Sequence, residues 1–379
     1  TITPKHWEVI SNYGIESRKD LDGDRKHTQF ATSQIISTYV TAIVAGAYTS
    51  VHDEYKGEKT IPLGIYARKS FFKYVDADNI FKVTKEGFAY FEKTFGLAYP
   101  FGKYDQLAVA EYNWGAMENV GCVTFHEDVL IFRSKVTESK HLGRASTILH
   151  EMAHMWFGDL VTMKWWEDLW LNESFAEWAS YMATSEATQY TTAWTEFNAL
   201  RKNWAYRQDQ LSTTHPIATE MKDLEDVKTN FDGISYAKGA SVLQQLVEHV
   251  GRENFIKGLR IYFTKHAFKN TTLNDLMVEL EATSGRDLKP WAATWLQTAG
   301  VNTLRPEIEI ESGTYKKLSI KQEAPTMPVG SKELRPHRLR VALFDVAGTS
   351  LVKRKSVALD VAGALTEVTE LQGEKEADL

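Results

Sequence analysis

The sequence predicts a multidomain α+β protein, and three observations predict it. Strand-like, turn-punctuated runs lie within residues 30 to 68, helical spacing dominates residues 142 to 300, and period-two alternation returns after Arg305-Pro306. At about 150 residues per domain, 379 residues hold two or three domains. The composition switches place them at 1–69, 70–305 and 306–379.

In chain order, Gln34 to Val44, Ala47 to Val51 and Ile61 to Ala67 are rich in β-branched and aromatic residues and read as the last strands of a sheet whose earlier strands leave no signal. From about Val75, Ile80, Val83, Phe88, Phe91 and Phe95 recur at helical spacing, and Gly96 supplies a C-terminal cap. Gln106 to Glu111 reads as another strand. Amphipathic helices follow near 172–188, 191–208, 236–249, 252–267, 272–283 and 288–298. Pro306 to Glu311, Leu318 to Ile320, Arg338 to Phe344 and Ser356 to Val361 then read as strands of a small β domain. Its basic clusters, Arg335 to Arg340 and Lys353 to Lys355, read as solvated faces and turns.

Chemistry concentrates at residues 147 to 160, TILHEMAHMWFGDL. Positions four apart share a helix face, so His150 and His154 point at one spot with Glu151 beside it. Two neutral imidazoles and an adjacent carboxylate suit a zinc ion with a general base. The pattern His-Glu-x-x-His alone arises by chance in about 2–3% of such chains, and a catalytic zinc needs a third protein ligand. Glu173, with 18 residues between it and His154, supplies one. Asn172 reads as the cap of the helix that carries it, and Glu177, one turn on, reads as an exposed helix carboxylate, with a role as partner to the ligands the second choice.

Upstream stands Gly115-Ala116-Met117-Glu118-Asn119, with 30 residues between Asn119 and His150. With the zinc motif, with Trp165-Trp166, with Tyr236-Ala237-Lys238-Gly239-Ala240 and with the run around Tyr39, it resembles the M1 family of zinc aminopeptidases, the aminopeptidase N group of the gluzincins. The wording Phe231-Asp232-Gly233-Ile234-Ser235-Tyr236 looks closest to bacterial, actinobacterial members. The resemblance implies a mainly helical, thermolysin-like catalytic domain between the end of an N-terminal β-sandwich and a small C-terminal β-sandwich. It implies one Zn2+ per chain on His150, His154 and Glu173, with Glu151 as general base and Tyr236 as donor to the oxyanion. It also implies that Glu118 anchors the substrate's α-ammonium while Gly115, Ala116 and Met117 line the substrate. Family members are roughly twice as long, and the start at Thr1 reads as a partial chain against which the missing parts pack.

The implied activity is a hydrolase of the EC 3.4.11 type acting on peptides with a free N-terminus. Alternatives are a non-catalytic peptide-binding paralogue or a truncated inactive fragment, and further off a gluzincin endopeptidase or an epoxide hydrolase. A net charge of −6 speaks against nucleic acid and anionic membranes as partners. No apolar run reaches the roughly 20 residues of a membrane span. Cys122 is the only cysteine, which excludes a disulfide framework and points to a reducing, cytoplasmic home.

Overall fold

The computed structural model describes residues 1–379. Seven strands come first: Ile2–Pro4 (β1), Glu8–Ser11 (β2), Ile15–Leu21 (β3), Arg25–Phe30 (β4), Ile43–Gly46 (β5), Tyr48–Lys56 (β6) and Thr60–Arg68 (β7). Helix α1 (Ala77–Phe95) leads to β8 (Tyr104–Val109), β9 (Ala116–Met117), β10 (Cys122–His126), α2 (Glu127–Leu130), α3 (Glu138–His154), β11 (Val161–Met163) and α4 (Leu169–Ala187). Helix α5 (Ala193–Glu196) continues through a π-helical turn into α6 (Lys202–Asp209), followed by α7 (Leu224–Thr229). A second π-turn, Ile234–Lys238, opens α8 (Gly239–Val250); then come α9 (Arg252–His266), β12 (Lys269–Thr271), α10 (Leu273–Ser284) and α11 (Lys289–Leu296). The chain ends in β13 (Thr303–Glu311), β14 (Thr314–Glu323), β15 (His337–Ala347), β16 (Ser350–Val361) and β17 (Leu365–Glu367).

The chain divides into two compact units, Thr1–Leu200 with Ile256–Glu279, and Arg201–Phe255 with Leu280–Leu379. In the first, a five-stranded sheet runs in the order β6-β7-β8-β10-β9, with β8 parallel to β7 and β10, and β9 antiparallel at the edge. The expected boundary at 69/70 therefore falls between two strands of one sheet. Strands β1 to β4, invisible in the sequence, form small sheets of their own with β5. The run Gln34 to Val44 is mostly not strand: Thr38–Val40 is a single 3-10 turn and pairing begins only at Ile43.

Helix α1 ends at Phe95 with Gly96 left-handed at φ +67° and its N–H on the Glu92 carbonyl, as the capping signal predicts. Its apolar face reaches α3 so closely that a Cβ on Gly87 would collide with Leu149 and sit 2.8 Å from Met152 Sδ. Phe95 lies 5.3 Å from Phe91, 5.7 Å from Trp156 and 5.1 Å from Phe263, while Phe157 stacks on Phe175 at 4.4 Å. Each such ring stabilises the fold by about 1.5–3 kcal/mol relative to leaving it in water. This aromatic wall backs the segment after His154.

Helix α4 corrects the expected amphipathic pattern, because every residue from Leu169 to Thr184 is buried. An all-buried helix has no reason to carry carboxylates unless they are paired. No helix is long and apolar enough to cross a membrane.

In the second unit, β13-β14-β17 and β15-β16 form two sheets around Tyr315, Leu318, Leu343, Val361 and Leu371. Arg335 corrects the reading of its cluster as solvated. It is 1% exposed, and its guanidinium donates to the carbonyls of Thr298 and Ala299 and to Asn302 Oδ1 just past α11, a cation at the negative end of a helix.

Candidate metal and peptide site

Helices α3 and α4 build the site in the first unit. His150, His154 and Glu173 each bring one ligand atom, and these atoms all lie within 4.8 Å of one another. The two Nε2 atoms are 3.1 Å apart, and Glu173 Oε2 is 3.3 Å from one and 3.5 Å from the other.

Hydrogen bonding fixes which nitrogens can serve. His154 Nδ1 faces two acceptors, the Phe157 carbonyl and Asn172 Oδ1, both at 3.1 Å, so it carries the hydrogen and leaves Nε2 a lone pair. His150 Nδ1 lies 3.4 Å from Glu177 Oε2 and is held in the same tautomer. Both Nε2 atoms converge beside Glu173, where loss of a proton exposes the lone pairs a metal ion needs. Two imidazole nitrogens, each steadied from behind, and a carboxylate oxygen form the donor set a zinc-type ion takes.

The electrostatics agree. Glu118, Glu151, Glu173 and Glu177 are all buried around two imidazoles, so the cluster is short of positive charge. Burial alone lowers the His150 pKa, but hydrogen bonds donated to Glu173 and Glu177 outweigh it and lift His150 to about 9. Against its own burial, His154 is raised by the charges of Glu118 and Glu173. Burial raises Glu173, yet bonds to the two histidines leave it lowered. A proton, or a metal ion in its place, answers this demand. Burial pushes Glu151, which has no place among the ligand atoms, up to about 8, which suits a group that exchanges protons near neutral pH.

Glu118 is brought to the same place, 5% exposed, with Asn172 Nδ2 donating to its Oε1 at 3.5 Å. Ala116 and Met117 just before it form edge strand β9, paired on one side with Phe125 and Thr124 of β10. Gly115 precedes them, its carbonyl accepting from His126 N at 2.9 Å. An edge strand leaves backbone groups for an extended peptide.

Asn172 overturns the cap expectation. Helix α4 begins one turn earlier, at Leu169 after the Trp166–Asp168 turn, so Asn172 lies inside it and needs no capping role. Its amide instead bridges His154 and Glu118. Gly158, at φ +130°, makes room, since a Cβ there would stand 2.5 Å from Asn172 Oδ1. Asn172-Glu173-Ser174 has the form of an N-glycosylation sequon, and this burial closes it.

Two further residues had no reading as site residues. The Tyr39 hydroxyl lies 3.4 Å from the Gly158 carbonyl, and burial with the nearby Glu118 carboxylate pushes its pKa well up. Asp159 is 3% exposed with neither oxygen hydrogen-bonded, and burial drives its carboxyl well above the usual range. An aspartate in a Gly-Asp-Leu context carries no sequence signal of this.

Tyr236 belongs to the second unit, in the π-turn Ile234–Lys238. Its ring lies 6.2 Å from Trp204 and 6.4 Å from Phe231, with the Arg201 guanidinium 6.0 Å away.

Fold and site together define a His-Glu-x-x-His protein whose buried donor set takes a metal ion. Comparison with known proteins agrees. Residues 80–295 match the peptidase family M1 domain. The chain is 53% identical over 378 residues to aminopeptidase N of Streptomyces lividans, covering 98% of this chain and 43% of that protein. It is 36% identical over 305 residues to the Tricorn protease-interacting factor F2 of Thermoplasma volcanium, covering 80% of this chain and 38% of that one. To the leucyl aminopeptidase of Saccharolobus solfataricus it is 33% identical over 319 residues, 84% and 39% of the two chains. This chain belongs to peptidase family M1. It spans about two fifths of the length of these relatives.

Proposed function

We propose that the chain carries the catalytic centre of a zinc-dependent aminopeptidase, which hydrolyses the first residue from peptides with a free N-terminus. One observation carries the reading: a buried carboxylate, Glu118, is tied through Asn172 to the ligand His154, next to an open strand edge. A carboxylate set beside the ligand cluster can bind an α-ammonium and so measure off one residue. An endopeptidase has no use for such a group.

His150 Nε2, His154 Nε2 and Glu173 would hold one zinc ion, which when bound supplies Lewis-acid polarisation of water and of the scissile carbonyl. Glu151 takes the proton of the attacking water and passes it to the nitrogen of the leaving amine as the C–N bond breaks. Glu118 holds the α-ammonium, and the backbone of Gly115, Ala116 and Met117 pairs with the extended substrate. Tyr236 donates its hydroxyl proton in a hydrogen bond to the tetrahedral oxyanion, a role supported by its position in the Tyr-x-Lys-Gly-Ala motif. The rest of a protein as long as the relatives would pack against this chain and complete the substrate cleft. A cytoplasmic location belongs to the same reading, supported by a single free, buried cysteine whose thiol burial pushes up to about 12.

The test is fluorophore release from aminoacyl-coumarins of Ala, Leu, Lys and Arg beside their N-acetylated forms. Cleavage confined to the free amines is expected. Equal cleavage of both forms would remove Glu118 from its role and favour an endopeptidase. Binding of the free amines without cleavage by a protein that holds zinc would favour a peptide-binding paralogue.

A further inference from the structure

The π-turn that carries Tyr236 is pinned at both ends by ion pairs within the second unit. At its far end Lys238 Nζ lies 2.7 Å from Asp209 Oδ2 and donates to the Gly300 carbonyl at 3.2 Å, a deeply buried pair. At its near end stands Asp232. Its Oδ1 accepts from the backbone N–H groups of Ile234 at 2.9 Å and Ser235 at 3.0 Å, and its carbonyl accepts from Tyr236 N at 3.1 Å. One residue therefore collects the first free donors of the turn. Gly233 N donates to Gln208 of α6, and a Cβ at Gly233 would stand 3.0 Å from Trp204 Cδ2, so the turn is pressed against that helix.

What holds Asp232 is His215. Its Nε2 lies 3.1 Å from Asp232 Oδ2, and its Nδ1 lies 2.7 Å from the Pro216 carbonyl. Both partners can only accept. Each ring nitrogen therefore has to carry a hydrogen, and an imidazole carries two only as the cation. We propose that His215 is a positioning residue for Tyr236, which holds the π-turn in register only as an imidazolium. The inference rests on the role given to Tyr236 above.

The charges around the ring favour the cation on balance. Burial works against it, while the hydrogen bonds to Asp232 and to Pro216 outweigh burial, and Lys238, itself paired with Asp209, opposes weakly; His215 ends raised above its ordinary value. A raised histidine contributes its stabilisation fully below the unfolded value of about 6.5 and loses it as pH rises through the folded value. The pair is 21% and 16% exposed, so solvent reaches it and the proton can leave. The buried Lys238 to Asp209 pair stays in place, so only the start of the turn loosens.

The experiment uses the full chain labelled with 15N-histidine, with hydrogen exchange of the segment 231–239 read by mass spectrometry. His215 is expected to show imidazolium shifts on both nitrogens at about pH 5.5 and to lose them through a midpoint above 6.5. Protection of the segment, corrected for intrinsic exchange, should fall about 10-fold through that midpoint, as loss of a charge-assisted bond predicts. In His215→Gln, protection should start lower and show no such step, and kcat should fall with KM unchanged. A midpoint at or below 6.5, or protection that ignores the titration, overturns the proposal whatever Tyr236 does. If the titration and exchange behave as stated but Tyr236→Phe leaves kcat intact, the clamp stands and the catalytic reading of Tyr236 falls.

Discussion

Two regions of the molecule set histidines against carboxylates, and they use them in opposite ways. In the α3–α4 pair, His150 and His154 each meet an acceptor behind the ring at Nδ1 and turn Nε2 toward Glu173 and toward each other. In the segment from His215 to Lys238, His215 meets an acceptor at both nitrogens. The first arrangement leaves lone pairs for a metal ion; the second demands two protons and makes a cation of the ring. Counting histidines and carboxylates does not separate these cases. What separates them is convergence: the Nε2 atoms of His150 and His154 lie 3.1 Å from each other beside one carboxylate oxygen, whereas each nitrogen of His215 meets an acceptor of its own.

The strongest way to break the comparison is His154→Ala. It should reduce bound zinc and peptidase activity to background, whereas His215→Gln should leave zinc content untouched; metal analysis of the two purified proteins checks both. Next in size is Glu177→Leu, which removes the acceptor behind His150. Zinc affinity should fall about 10–100-fold, the usual cost of losing such a partner, with activity restored at saturating metal. A competition titration against a chelator measures it. If affinity is unchanged, the tautomer argument for His150 fails. A smaller effect follows from proton competition. The metal-free site holds His150 at about 9, so a proton has to leave before zinc binds there. Apparent zinc affinity should therefore rise with pH by up to about 10-fold per unit below about pH 9 and flatten above it. Affinity that is flat between pH 6 and 8 would contradict the charge balance described for the cluster.

The pairing of His150 with His154 and the α1 helix were legible in the sequence because both depend on local spacing. His150 and His154 share a face by helical geometry alone, and Gly96 ends its helix through a backbone conformation that glycine adopts readily. Asn172 was visible as a residue but not as a bridge. Capping is a local rule, and the contact to Glu118 joins positions 54 residues apart. Strand β3 escaped notice for a different reason. Its residues, Ile15 to Leu21, are almost all exposed and four of the seven are charged, so no apolar alternation marks it. The opposite error arose at Gln34 to Val44, where β-branched residues imitate a strand although Ile35 is 87% exposed. Arg335 looked like part of a solvated cluster because sequence does not reveal that the carbonyls just past α11 lie within its reach.

The central claim is that metal binding and proton transfer are carried by different residues, His150 and His154 of α3 with Glu173 of α4 for the ion and Glu151 of α3 for the proton. The most direct measurement is zinc content and kcat on one preparation of Glu151→Gln, with a free aminoacyl-coumarin as substrate. The account predicts one equivalent of zinc per chain with kcat lowered about 10²–10⁴-fold, the range of general acid–base catalysis. Near-normal turnover, or zinc lost in step with activity, would contradict it.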